Sequence, residues 1–145
     1  MFGSAMLCGE AAMRAGSGMV RLCVPGASET TFPPTEVVGI VLDESNWVDR
    51  VTEELGRCKA LVIGPGLGRS DETIANVRSL LQKVDLPTVI DADGLFALGG
   101  SDSARGLLTQ RNAPSVLTPH DGEFERLTGR PVGNDREHDA VWLAY

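Results

Sequence analysis

Aromatic residues are scarce, at 5% of 145 residues, and cysteine occurs only three times, at Cys8, Cys23 and Cys58. An odd, widely spaced set without a C-x-x-C pair encodes neither a disulfide framework nor a local zinc site, so the thiols read as reduced core residues. No apolar stretch approaches the roughly 20 residues that cross a bilayer, and no basic-then-apolar leader opens the chain. Twenty acidic against thirteen basic residues leave a net charge of −7, and the basic ones form no cluster. Phosphate backbones need a basic footprint, so nucleic acid is excluded as a partner. Low-complexity tracts, charge blocks and internal repeats are also lacking. These absences leave a cytoplasmic globular chain with no membrane segment.

What is present is ordinary for such a chain: 42% hydrophobic and 23% charged residues. That supports one domain, residues 1–145, with a real core. Small residues at Ala5, Cys8, Ala11, Ala12 and Ala15 predict a closely packing helix over 3–15, stopped by Gly16-Ser-Gly18. Strands are predicted at 19–24 and 36–42, with a loop and the double proline Pro33-Pro34 between them. Helical spacing of Trp47, Val48, Val51 and Leu55 predicts a helix over 45–56, capped by Ser45 and ended by Gly56. A strand at 59–63 precedes a helix capped by Ser70, whose apolar face is Ile74, Val77, Leu80, Leu81 and Val84. Beyond it come a strand at 87–90, a short helical turn from Leu95, a loop at 99–103 and a strand at 115–117. A short helix over 123–127 stopped by Gly129 and a helix over 134–144 complete the pattern. Strand–helix alternation across short loops predicts α/β architecture, a mostly parallel sheet covered on both faces.

The turns at Pro25-Gly26, Gly64–Gly68, Asp91–Gly94 and Thr118–Glu123 all follow predicted strands, so they are expected along one sheet edge, where such folds bind ligands. Gly64-Pro-Gly-Leu-Gly68 matches neither common nucleotide signature, because Arg69 stands where G-x-G-x-x-G needs its third glycine and no G-K-[ST] follows. Its glycines still expose backbone N–H groups beside a helix start, which suits ligand contact as well as a tight turn. His120 can donate to a ligand, act as acid or base, or tie down its own loop. His138, among Arg136, Glu137 and Asp139, reads as solvated. Asp91 and Asp93 sit two apart at a strand end with Glu123 in the neighbouring turn. That set admits magnesium held through water and phosphate, although Asp91 equally suits capping its own turn. No nucleophile stands with a base beside it in sequence, and no dedicated metal site is assigned.

Four passages taken together resemble the ADP-dependent NAD(P)H-hydrate dehydratase family in order and spacing. They are Gly3-Ser-Ala-Met-Leu-Cys-Gly-Glu-Ala-Ala-Met-Arg-Ala-Gly-Ser-Gly-Met-Val20, Ala60-Leu-Val-Ile-Gly-Pro-Gly-Leu-Gly-Arg-Ser70, Thr88-Val-Ile-Asp-Ala-Asp-Gly-Leu95 and Leu117-Thr-Pro-His-Asp-Gly-Glu-Phe-Glu-Arg-Leu-Thr-Gly129. The resemblance implies a ribokinase-like three-layer α/β/α fold, incomplete at both ends. It also implies a repair lyase that dehydrates (6S)-hydrated NADH or NADPH, with ADP as phosphoryl donor and AMP and phosphate as by-products. By matching position, Ala5, Gly64, Gly66, Leu67, Gly68 and His120 fall at the hydrated cofactor, with Asp91, Asp93 and Glu123 beside them. The family's catalytic aspartate, in a Gly-Thr-Gly-Asp helix start, is expected beyond Tyr145, and a further glycine-turn strand before Met1. A homo-oligomer and a fused or separate epimerase are implied as well. The rival readings are a vitamin-precursor kinase of the same superfamily and a truncated, non-catalytic cofactor-binding remnant.

Overall fold

The computed structural model describes residues 2–28 and 36–144. The double proline Pro33-Pro34 and most of the loop around it lie outside the described residues. Helix α1 (Phe2–Arg14) leads into strand β1 (Arg21–Pro25), which pairs in parallel with β2 (Val38–Leu42). Helix α2 (Val48–Leu55), strand β3 (Leu61–Ile63) and helix α3 (Asp71–Lys83) follow. Next come β4 (Thr88–Ile90), α4 (Asp93–Leu98), α5 (Ser101–Leu108), β5 (Ser115–Leu117), α6 (Asp121–Thr128) and α7 (Arg136–Ala144).

Every strand pair described is parallel, as the alternation of elements requires, but the strands form two sheets, β1-β2 and β3-β4-β5. A cleft of about 530 Å³ separates them, walled by residues 17–25 on one side and 57–67 on the other. Side chains alternate along a strand, so a sheet face would contribute every second residue. Consecutive residues therefore mean that the edges of β1 and β3 face each other across the cleft. Ala5, Cys8, Gly9 and Ala12, the small-residue face of α1, line the same space.

The core gathers around α3, whose Val77, Leu80 and Leu81 are essentially fully buried, with Ile63, Ile90, Leu95 and Leu98 packed in the same cluster. Ser70 caps α3 as predicted, accepting from the Thr73 N–H at 3.1 Å. Helix α2 lacks the predicted Ser45 cap. Its N-cap is Trp47, which makes no side-chain cap, and burial of Trp47, Val48 and Val51 sets the start instead. The predicted loop at 99–103 is also corrected, since α5 begins at Ser101. Its small polar residues locally favour turns, but Ala104 and Leu107 are buried, and α5 packs against α3, α4 and α6.

Arg111 ties the layers together. Its guanidinium donates to the carbonyls of Leu81 (2.5 Å), Val84 (3.1 Å) and Leu86 (2.9 Å), and to the hydroxyls of Thr88 (2.9 Å) and Ser115 (3.0 Å). It thereby satisfies the exit of α3 and buckles it to β4 and β5, whose Thr88 is itself buried. On β3 the core takes up Leu61 and Ile63, whereas Val62 on the alternate face is 52% exposed, as Val116 of β5 is 55% exposed.

Candidate active site

Parallel pairing puts the ends of β3, β4 and β5 at one edge, and the turns leaving them interlock. The β3 turn contains Gly64, Gly66 and Gly68, all with positive φ. A Cβ on Gly64 would stand 1.8 Å from the Asp91 carbonyl oxygen and 2.5 Å from the Gly94 nitrogen; one on Gly94 would stand 2.7 Å from the Ile63 oxygen. Only glycine permits that approach of two backbones. The β4 turn is strained in return, because Ala92 adopts φ 49°, ψ −117°. Asp91 caps this turn, its Oδ1 accepting from the Ala92 N–H at 2.8 Å.

Asp93 is the first residue of α4 and reaches back to the glycine turn. Its Oδ2 accepts from the Gly68 N–H at 2.9 Å and its Oδ1 from Arg69 Nε at 2.7 Å. Burial works to raise this carboxyl, but the Arg69 bond, the Gly68 N–H and the Arg69 charge outweigh it and hold Asp93 below the usual carboxylate range. The Arg69 guanidinium lies over the Phe96 ring at 4.7 Å, and Arg126 of α6 lies over the same ring at 4.9 Å. Arg126 also donates to the carbonyls of Leu95 (2.6 Å), Phe96 (3.4 Å) and Gly99 (3.3 Å). Arg78 of α3 takes those of Ala97 (3.2 Å) and Leu98 (2.9 Å). Two arginines from flanking helices thus satisfy the exit of α4.

His120 closes the β5 end as the N-cap of α6. Its Nδ1 accepts from the N–H groups of Gly122 (3.1 Å) and Glu123 (3.4 Å), while Glu123 Oε2 accepts from the His120 N–H (3.1 Å). This is a capping box with a histidine in the place of serine or threonine. Nδ1 is engaged as an acceptor, so the ring proton belongs on Nε2, which stands 3.5 Å from Glu123 Oε1 on a side chain 72% exposed. Tying down its own loop is therefore one role that His120 has.

Of the site residues expected from the sequence, Ala5, Gly64, Gly66 and Leu67 line the β1–β3 cleft together, beside Pro25. The Asp91 charge acts on the Cys8 thiol of that cleft; burial first, then Asp91, raise the thiol. Asp93, through its bonds to Gly68 and Arg69, holds the turn from outside, and His120 and Glu123 cap the next helix along the edge. His138 is on the exposed side of α7, as expected. Among the described residues no three His, Cys, Asp or Glu side chains converge to hold a metal ion. The reading from sequence missed Arg69, Phe96 and Arg126. The available signal was an arginine directly between the last glycine of the turn and the cap of the next helix.

A family model described as NAD(P)H-hydrate dehydratase matches residues 1–144. A relative from Mycobacterium tuberculosis, named a bifunctional NAD(P)H-hydrate repair enzyme, is 42% identical over 134 residues, covering 92% of this chain and 26% of its own. A rat relative, named an ATP-dependent (S)-NAD(P)H-hydrate dehydratase, is 37% identical over 131 residues, 86% of this chain and 37% of its own. The chain thus spans between a quarter and two fifths of these relatives. A ribokinase-like superfamily protein of Enterococcus faecalis V583 superposes with a TM-score of 0.72 at 19% identity, covering 97% of this chain and 50% of that one. The expectation of ADP as phosphoryl donor is corrected, because the rat and mouse relatives are named ATP-dependent. The passages that carried the resemblance surround the cleft and the strand ends, and none of them discriminates between two nucleotides. The chain belongs to the NAD(P)H-hydrate dehydratase family and has its ribokinase-like α/β fold.

Proposed function

We propose that residues 1–145 act as one domain that holds the hydrated nicotinamide of (S)-hydrated NADH or NADPH for dehydration, with ATP as the phosphoryl donor. The observation that carries this reading is the meeting of Ala5 and the glycine turn in one cleft, with His120 on the same strand-end edge. The glycines let a ligand approach the backbone of the turn closely, and His120 offers Nε2–H to a polar oxygen of the ring. In the reaction the ring hydroxyl attacks the γ-phosphorus of ATP, releasing ADP and losing its proton. The lone pair of the ring nitrogen then expels phosphate from the adjacent ring carbon, and loss of the neighbouring ring proton restores the reduced cofactor. Phosphorylation is needed because hydroxide is a far poorer leaving group than phosphate. A homo-oligomeric, cytoplasmic protein working beside an epimerase, fused or separate, belongs to the same reading.

The test is incubation of the protein with hydrated NADPH and either ATP or ADP, with the products separated by chromatography. NADPH, ADP and phosphate formed in equal amounts with ATP support the proposal. A stable phosphorylated alcohol would make the protein a kinase, and binding of hydrate without its consumption would make it a binding module.

A further inference from the structure

We propose that Asp93 is a positioning residue of this site: it fixes the glycine turn against α4, so that the turn and His120 keep one separation. Both carboxylate oxygens are engaged within the protein, Oδ2 by the Gly68 N–H and Oδ1 by Arg69 Nε. The side chain is only 17% exposed. Each oxygen thus already accepts one bond within the protein on a largely buried side chain, which fits a role in holding the turn.

What it does instead follows from the order of contacts. The Gly64 end of the turn is packed against the β4 turn by backbone alone, whereas the Gly68 end is exposed and is anchored by Asp93. Asp93 opens α4; the exit of α4 is held by Arg126 of α6; and α6 begins at His120. Phe96 lies under both Arg69 and Arg126, so the two ends of this path also share one ring. Glycine turn, Asp93, α4, Arg126, α6 and His120 form a continuous chain of contacts between the two groups assigned to the hydrated cofactor. A displacement of about 1 Å in such a constellation is enough to change a rate or an affinity many-fold. The kinetic consequence rests on the substrate assignment above; the latch itself does not.

The test compares the whole chain with Asp93→Ala, Asp93→Asn and Arg69→Ala. One readout is exchange of the Gly68 amide and the Arg69 Nε–H resonance by NMR, with the Leu81 amide as a core reference. The other is KM and kcat for hydrated NADPH with ATP. Asp93→Ala is expected to speed Gly68 exchange while Leu81 is unchanged, to abolish protection of Arg69 Nε–H, and to raise KM roughly tenfold or more with a smaller change in kcat. Asp93→Asn retains an acceptor for Gly68 and Arg69→Ala retains the Gly68 bond, so each is expected to raise KM less. These two variants decide the matter if Asp93→Ala fails to fold. Unchanged Gly68 exchange in Asp93→Ala overturns the latch, and faster exchange with unchanged KM overturns its positioning role. A wild-type chain that neither binds nor converts hydrated NADPH overturns the substrate assignment and the positioning role together, and the exchange data then show whether the latch survives.

Discussion

Gly64 has no room for a side chain and Gly68 has room but the wrong φ for one, which separates two kinds of glycine in one turn. A methyl group on Gly64 would overlap the Asp91 carbonyl at 1.8 Å, and the backbone there has φ 124°. Gly64→Ala is therefore expected to lower stability by about 3 kcal/mol or more. Nothing lies within 4 Å of a Cβ on Gly68, so Gly68→Ala is expected to cost only the left-handed penalty of about 1–2 kcal/mol. Urea unfolding of the two variants side by side checks the order. Asp93 supplies a pH dependence of known sign. Its folded carboxyl lies below its ordinary value, so its contribution is complete above about pH 4 and is lost as pH falls through the lower folded value. Asp93→Asn is expected to remove that acid limb, and melting temperatures between pH 2 and 6 would show it. Cys23 is pushed up to about 11, chiefly by burial and then by the neighbouring Cys58. It should therefore resist alkylation by iodoacetamide at pH 8 until the chain unfolds, as mass spectrometry would report.

Two helices, α3 and α4, end on arginines contributed from elsewhere in the fold. Arg111 closes α3, and Arg78 and Arg126 close α4, each by donating to carbonyls that a helix leaves unpaired. Lysine cannot reproduce the fork with which Arg111 reaches three carbonyls and two hydroxyls. Arg111→Lys is expected to destabilise the fold by about 2 kcal/mol, read as a lower urea midpoint with an unchanged slope. At the start of α6 the cap depends on an unprotonated Nδ1. His120→Asn keeps a capping oxygen and should preserve stability, whereas His120→Ala should cost about 1 kcal/mol. Both variants remove the Nε2–H donor, so equal loss of hydrate turnover in the two would assign the effect to the ligand rather than to the helix.

In the molecule as a whole, burial is uneven. Ile90 and Leu81 are at 0% exposure on one side of the three-stranded sheet, while Val62 and Val116 show half their surface on the other. Substituting Val116 by threonine should therefore change stability by less than about 0.5 kcal/mol, whereas Ile90→Ala should cost about 2–5 kcal/mol. Thermal unfolding of the two variants measures the contrast. No described helix is long and apolar enough to cross a membrane.

Element types were legible wherever local chemistry and burial agree. Ser70 caps α3, the apolar spacing of Val77, Leu80 and Leu81 marks its buried face, and the small-residue face of α1 lies along the cleft. The glycine turn and the His120 turn were legible as strand-to-helix turns, because each follows an apolar run and precedes a helix, and the four quoted passages together carried the family. Helix α5 was not legible, since Ser101, Asp102 and Ser103 favour turns until Ala104 and Leu107 find a core to enter. Nor was the use made of the polar groups. Asp93 looked like a crevice carboxylate, and its partners Gly68 and Arg69 are more than twenty residues away in sequence. Local spacing determined which segments became helix or strand, because caps and periodicity act within a few residues. Which carboxylate holds which loop, where two strand edges leave a cleft, and which arginine closes which helix were decided by folding, because those partners meet only once the layers have packed.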